Sequence, residues 1–185
     1  MAITFNADTT NGAVITSDTS GEIKLQSAGA DIATVSSTGI TMASGKNLIT
    51  TAPAFSAYQS SSQTLSTSTN TKIQYQTERF DTNSNYDNVT NYRFTPTVEG
   101  YYQVNASLGV GASATGVYTQ IFKNGSLYEG SYDAGHSTIT STISSLVYLN
   151  GTTDYIEIYG NFGSGQVTAA SSSQTWFNAV LVRAA

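Results

Sequence analysis

The sequence reads as all-β: a sandwich or jelly roll over its last two-thirds, preceded by a stretch of short strands and turns. Three observations carry that reading. Ser and Thr together make roughly three residues in ten, with 12 Tyr and 7 Phe, and such residues suit pleated, half-buried surfaces better than helix interiors. Apolar residues recur with a period of two, which places them on one side of a strand. Pairs such as Asn-Gly and Ser-Gly punctuate the chain between these runs, as turns joining strands do. No apolar period of helical spacing occurs at any length.

Residues 1–52 come first and have no aromatic residue after Phe5. Their apolar residues arrive in pairs: Ile3/Phe5, Val14/Ile15, Ile23/Leu25, Ile32/Val35, Ile40/Met42 and Leu48/Ile49. Turn signals lie between them at Asn11-Gly12, Ser20-Gly21, Ala28-Gly29, Thr38-Gly39 and Ser44-Gly45. About a dozen moderate apolar side chains cannot offset the ordering of some fifty residues. The segment therefore needs other chains, its own copies or a larger scaffold, and Ile3, Phe5, Ile23 and Leu25 are its expected anchor. A flexible linker is the competing reading. The run Gly21-Glu22-Ile23-Lys24-Leu25-Gln26 alternates too cleanly for one.

From Pro53 onward the pattern changes, which sets a second unit at 53–185. Tyr102, Val104, Ala106 and Leu108 alternate with Tyr101, Gln103, Asn105 and Ser107, predicting a strand with one buried face. Val117 to Lys123 runs into Asn124-Gly125, the favoured pair of a two-residue hairpin turn. Ile143, Ser145, Val147 and Leu149 line one face of the next strand, which should stop at Asn150-Gly151. Tyr155 to Tyr159 alternates around Ile156 and Ile158. The last strand, Thr175 to Arg183, is apolar on both faces, and a strand covered on both sides belongs in the middle of a sandwich or in an interface.

The order of these elements carries a resemblance. Pro53-Ala54-Phe55-Ser56-Ala57-Tyr58, Thr71-Lys72-Ile73-Gln74-Tyr75, Phe94-Thr95-Pro96 leading to Gly100-Tyr101-Tyr102, Lys123-Asn124-Gly125, and the closing Trp176-Phe177-Asn178-Ala179-Val180-Leu181 follow one another at suitable distances. Residues 53–185 thereby resemble the globular head of complement component one, subcomponent q, which shares the tumour-necrosis-factor jelly roll. The resemblance implies a jelly roll of about ten strands that assembles as a tight trimer around alternating aromatic and apolar side chains. Tyr118, Tyr148, Tyr155, Tyr159 and Trp176 are the residues expected at that contact, because Tyr and Trp bury area while keeping a polar tip. Two departures weaken any inherited ligand site: Asn150-Gly151-Thr152-Thr153-Asp154 replaces a compact Gly-Asp, and Asn178-Ala179 stands where Gly and a large apolar residue are usual. Residues 1–52, with Asp31-Ile32-Ala33-Thr34-Val35 and Thr38-Gly39-Ile40-Thr41-Met42, resemble Gly-punctuated β segments of bacteriophage fibre and capsid-surface proteins.

Composition excludes several functions. Charged residues make only 10% of the chain, the formal net charge is −5, and the seven Lys and Arg are scattered, so phosphates would find no cationic cluster and nucleic acid is not an expected partner. No run approaches the apolar length of a membrane-spanning helix, and the start carries no secretory signal pattern. Without Cys there is no disulfide, thiolate metal site or Cys nucleophile. The one His, His136, sits in the Gly-flanked loop Asp133-Ala134-Gly135-His136-Ser137, where a lone His is far more often a surface or interface residue, and the carboxylates are dispersed with no paired acid/base signature. Neither catalysis nor a cofactor is expected. Asp81, Asn83, Asn85 and Asp87 place oxygen ligands at alternate positions, as a calcium loop does. Tyr86 occupies the place of its Gly and Tyr92 that of its bidentate Glu, so a polar turn is the stronger reading.

The expected function is therefore non-enzymatic. A homotrimeric decoration (cement) protein on the capsid of a tailed bacteriophage fits best. Residues 1–52 would grip the major capsid protein or another virion protein, and the head would project. One rival is the receptor-binding tip of a tail or head fibre, holding a host surface glycan in loops near Tyr86, His136 and Ser171-Ser172-Ser173. The other is a secreted binding module.

Overall fold

A computed structural model describes residues 20–46, 52–111, 116–134, 139–163 and 166–185. The chain divides into two compact units, Met1–Thr50 and Thr51–Ala185. Every described element is a strand.

In the first unit, β1 (Ile23–Ser27), β2 (Ala30–Ser36) and β3 (Gly39–Met42) form an antiparallel meander. The β1–β2 turn falls on Ala28-Gly29, both at positive φ (52° and 77°), the backbone that lets a two-residue hairpin follow the strand twist. Of its described apolar side chains only Ala33 is buried. Ile23 and Leu25 lie in β1; Ile3, Phe5 and the turn at Asn11-Gly12 fall outside the described residues.

The second unit is a sandwich. One sheet runs β13 (Thr140–Asn150), β10 (Glu99–Gly109), β16 (Trp176–Ala184), β4 (Ala54–Tyr58), β7 (Thr77–Asp81). The other runs β12 (Ser126–Ala134), β11 (Gly116–Lys123), β14 (Ile156–Phe162), β9 (Arg93–Phe94), β8 (Tyr86–Asp87), with β6 (Thr71–Lys72) also pairing β14. A small pair, β5 (Thr64–Leu65) and β15 (Gln166–Val167), closes one end. The architecture is an all-β jelly roll, and its long strands coincide with the runs of alternating apolar residues.

Alternation decides what each sheet turns inward. Tyr102, Val104, Ala106 and Leu108 of β10, Ile143, Val147 and Leu149 of β13, Val117 and Ile121 of β11 and Ile156, Ile158 and Phe162 of β14 share one buried cluster. Its centre is aromatic. Phe55 stacks on Tyr86 and Phe94 at centroid distances of 4.7 and 4.5 Å and meets Phe177 edge-on at 4.8 Å. Tyr86 is thus a core side chain whose hydroxyl donates to the Tyr75 carbonyl at 3.1 Å, which removes it from the loop surface expected to hold a glycan. Burial drives the Tyr75 and Tyr86 hydroxyls far above their ordinary pKa, and that of Tyr102, donating to the Val98 carbonyl at 2.7 Å, up to about 12.

Both Asn-Gly pairs of the second unit stop strands where the sequence places them, and the structure ties them together. Asn124 and Gly125, at φ 52° and 76°, turn β11 into β12. The Asn150 side-chain oxygen accepts the amides of Thr152, Thr153 and Asp154 at 3.0, 2.9 and 2.9 Å, winding the loop that replaces the compact Gly-Asp. That loop presents Asp154 to Lys123 at 2.9 Å and to the Asn124 side-chain amide at 2.8 Å. The Asn124 oxygen in return accepts the Tyr155 amide at 3.0 Å. The Asn124 hydrogen bond and the Lys123 ammonium hold the Asp154 carboxyl below its ordinary pKa.

Candidate interaction surfaces

The outward face of the five-stranded sheet is the strongest candidate. Register places its side chains in rows across the strands. Leu146 of β13 stands beside Gln103 of β10, Val180 of β16 and Ala54 of β4. The next row holds Ser144, Asn105, Asn178, Ser56 and Phe80, and the next Thr142, Ser107, Trp176, Tyr58 and Thr77. Leu146, Tyr101, Val180, Val182 and Phe80 are left 50, 43, 42, 61 and 51% exposed. Tyr101, Leu146 and Val182 line one shallow groove, and Phe80, Ala54 and Val180 another. Several large apolar side chains sharing one sheet face are a sign of a covered surface, whereas single ones are not.

Apart from Phe80 at its end, the middle row is polar, and its groups are paired within the chain. The Gln103 amide donates to Ser144 at 3.0 Å, the Ser144 hydroxyl to the Asn105 oxygen at 2.9 Å, and the Asn105 amide to the Asn178 oxygen at 2.9 Å. Arg79 donates to the Ser56 hydroxyl at 3.1 Å and lies over the Tyr58 ring at 5.3 Å. Polar groups that pair with one another inside a chain can be covered by a partner at small cost. The face thus combines exposed apolar ridges with a pre-paired polar stripe.

The six-stranded sheet offers a different surface. Its outward side holds Tyr118 against Tyr132 at 4.4 Å and Phe122 against Tyr159 at 4.1 Å. Below them the Lys72–Glu157 ion pair, at 2.5 Å, sits with Glu157 almost wholly buried.

The residues expected at a trimer contact therefore separate. Trp176 and Tyr148 lie on the five-stranded sheet, Tyr118 and Tyr159 on the six-stranded one, and Tyr155 precedes β14 beneath the Arg93 guanidinium at 4.5 Å. Tyr148 also hydrogen-bonds the Glu99 carboxylate, which raises its pKa. Tyr101, Leu146, Val180 and Val182 were not singled out from the sequence. The second apolar face of the closing strand points to Val180 and Val182, whereas Tyr101 and Leu146 join them only through the pairing of β10 and β13.

The acidic turn spends its oxygens on its own backbone. Asp81 accepts the Asn83 amide at 3.2 Å and the Tyr86 amide at 2.7 Å. Asp87 accepts the amides of Val89, Thr90 and Asn91 at 3.0, 2.8 and 3.0 Å and the Asn91 side chain at 2.8 Å. These bonds, those from Thr90 and Val89 foremost, hold the Asp87 carboxyl down to about 2. Asn85 bridges the Asn83 carbonyl and the Thr97 amide, and the Asn83 oxygen accepts the Thr82 hydroxyl. The arrangement is that of a self-capped polar turn. Among the described residues no group of three or more His, Asp or Glu is placed to hold a metal. His136 lies outside the described residues.

With this geometry in hand, the fold has relatives in known structures. The chain is similar to murine APRIL at pH 5.0 (TM-score 0.58, 8% identity, 71% of this chain and 99% of that one). It is similar also to Eiger TNF from S. frugiperda (TM-score 0.58, 8% identity, 72% and 93%). A third likeness is to the globular domain of zebrafish complement 1qA protein (TM-score 0.55, 13% identity, 72% and 99%). The class is thus the jelly roll of the tumour-necrosis-factor and complement 1q heads, the fold that the resemblance of residues 53–185 implies. No family model matches the chain, and no curated protein does. At these identities the likeness defines the fold alone.

Proposed function

We propose that this chain is a non-enzymatic structural protein whose jelly-roll head forms a homotrimer through the outward face of the five-stranded sheet. The observation that carries the reading is the grouping of Tyr101, Leu146, Val180, Val182 and Phe80 on that one face around a self-paired polar stripe. A face built so gains by burial and loses little by desolvation. Three copies meeting through it leave the aromatic side of the six-stranded sheet outermost.

The biological setting we propose is the surface of a tailed-bacteriophage virion, as a capsid decoration protein with residues 1–52 bound to the shell. Support comes from the cysteine-free, hydroxyl-rich, weakly charged composition and from a Gly-punctuated β meander followed along the chain by a jelly-roll head. Such a protein acts by binding across neighbouring shell subunits, so that its binding free energy opposes their separation. The exposed Tyr118–Tyr132 pair favours one second reading, a fibre tip whose aromatic side meets a host surface ligand. Immunogold labelling of intact particles with an antibody against residues 53–185 separates the two. Gold spread over the shell is expected; gold at tail or fibre tips overturns the decoration role in favour of the adhesin.

A further inference from the structure

We propose that the apolar face of the β1–β2–β3 meander packs against the same face of other copies of this chain, making the first unit a second assembly element. The inference rests on the trimeric reading of the head. Register sorts the meander cleanly. Ile23, Val35 and Ile40 form one row across the three strands, and Leu25, Ala33 and Met42 the next, so six apolar side chains share one face. Lys24, Thr34 and Thr41 form the intervening row on the opposite face. Ile40 is 70% exposed and Leu25 52%. The two charges on these strands neutralise each other: Lys24 pairs with Asp31 at 3.4 Å, and Asp31 also accepts from Gln26 at 2.6 Å. Copies can therefore meet apolar face to apolar face without bringing like charges together.

Size selects the occupant. Three strands about 4.8 Å apart and some five residues long at about 3.3 Å each present a footprint of roughly 240 Å². A separate partner needs about 800 Å² per side for a stable complex. A face this small holds only where its mate is already at high local concentration, as a second copy tethered to the same assembly is. Eleven residues lie between Met42 and Ala54, a reach of at most about 36–40 Å. Joined to a trimeric head, three meanders are confined to each other's neighbourhood at effective concentrations in the millimolar range.

These 185 residues contain no Cys, so single introduced thiols report unambiguously. Ile40→Cys and Leu25→Cys place a thiol on the apolar face, and Thr41→Cys places one on the reverse. Each variant is checked by sedimentation and then treated with a three-armed maleimide at micromolar protein. The expected result is a trimeric particle in which Ile40→Cys and Leu25→Cys are captured as covalent trimers at least about tenfold more efficiently than Thr41→Cys. A trimeric particle in which neither variant exceeds Thr41→Cys overturns this inference, shows the face to be covered by something else or left open, and leaves the head contact standing. A monomeric particle refutes the head contact and with it the tethering on which this inference depends.

Discussion

Leu146 gives the most direct test of the proposed head contact. Its side chain is 50% exposed on the outward face of β13, beside Tyr101 and Val182. Full burial of a Leu is worth about 1.5–3 kcal/mol, so covering the remaining half in an assembly, less the Cβ that Ala retains, is worth about 0.5–1.5 kcal/mol per copy. Three copies lose about 1.5–4.5 kcal/mol on Leu146→Ala, which weakens the trimer's association constant by about 10- to 2,000-fold. The change in folding stability of the single chain is expected to stay within about 1 kcal/mol. The Tyr128 hydrogen bond to this residue, at 3.3 Å, goes to the backbone carbonyl and survives. Sedimentation equilibrium across a dilution series reads the association constant, and urea unfolding reads the fold. A variant that folds normally and keeps the parent's association constant would refute the assignment of this face as the contact.

Other perturbations address the rest of the molecule. Phe55→Ala removes a ring that touches Tyr86, Phe94 and Phe177, and should cost about 3–5 kcal/mol in urea unfolding; a loss under about 1.5 kcal/mol would mean the aromatic centre is not packed as described. Asp87 has its folded-state pKa lowered to about 2 from the ordinary 3.8, so its contribution is whole above about pH 4 and is lost as pH falls through about 2. Asp87→Asn should therefore be less stable than the parent at pH 7 and the gap should narrow between pH 4 and 2; parallel unfolding midpoints across that window would contradict it. Deletion of residues 1–52 should leave a folded head that no longer joins its scaffold, read by co-sedimentation with particles, and retained binding would reverse the roles given to the two units.

Much of the head was legible because its strands obey alternation and end on strong turn pairs. Tyr102 to Leu108, the Asn124-Gly125 hairpin and the stop at Asn150-Gly151 needed only local pattern. What the pattern does not contain is which sheet a strand joins. Tyr118, Tyr148, Tyr159 and Trp176 look alike as strand aromatics, yet the sandwich sends them to two sheets, a division set by long-range pairing. Tyr86 misled for a related reason: in a run of Asp, Asn and Ser it reads as a loop residue, while the two-residue β8 carries its ring under Phe55. The Asp81–Asp87 oxygens were recognisable as a ligand-like spacing, but backbone amides occupy them, and only the folded turn reveals that.

The place of β16 bears on how the chain must be made. It follows β4, β7, β10 and β13 in sequence yet lies between β10 and β4, pairing with both. Until its residues have emerged from the ribosome, β10 and β4 each present an open edge, and Phe55 lacks the Phe177 ring that meets it edge-on. The six-stranded sheet can take shape earlier, since β11, β12 and β14 are close in sequence. Closure of the sandwich thus waits for synthesis of Trp176–Ala184, and the nascent chain spends that interval with the surfaces that promote aggregation. Chains stopped after Ser173 should be recovered insoluble, and β16 supplied in trans as a peptide should be taken up by strand addition between β10 and β4.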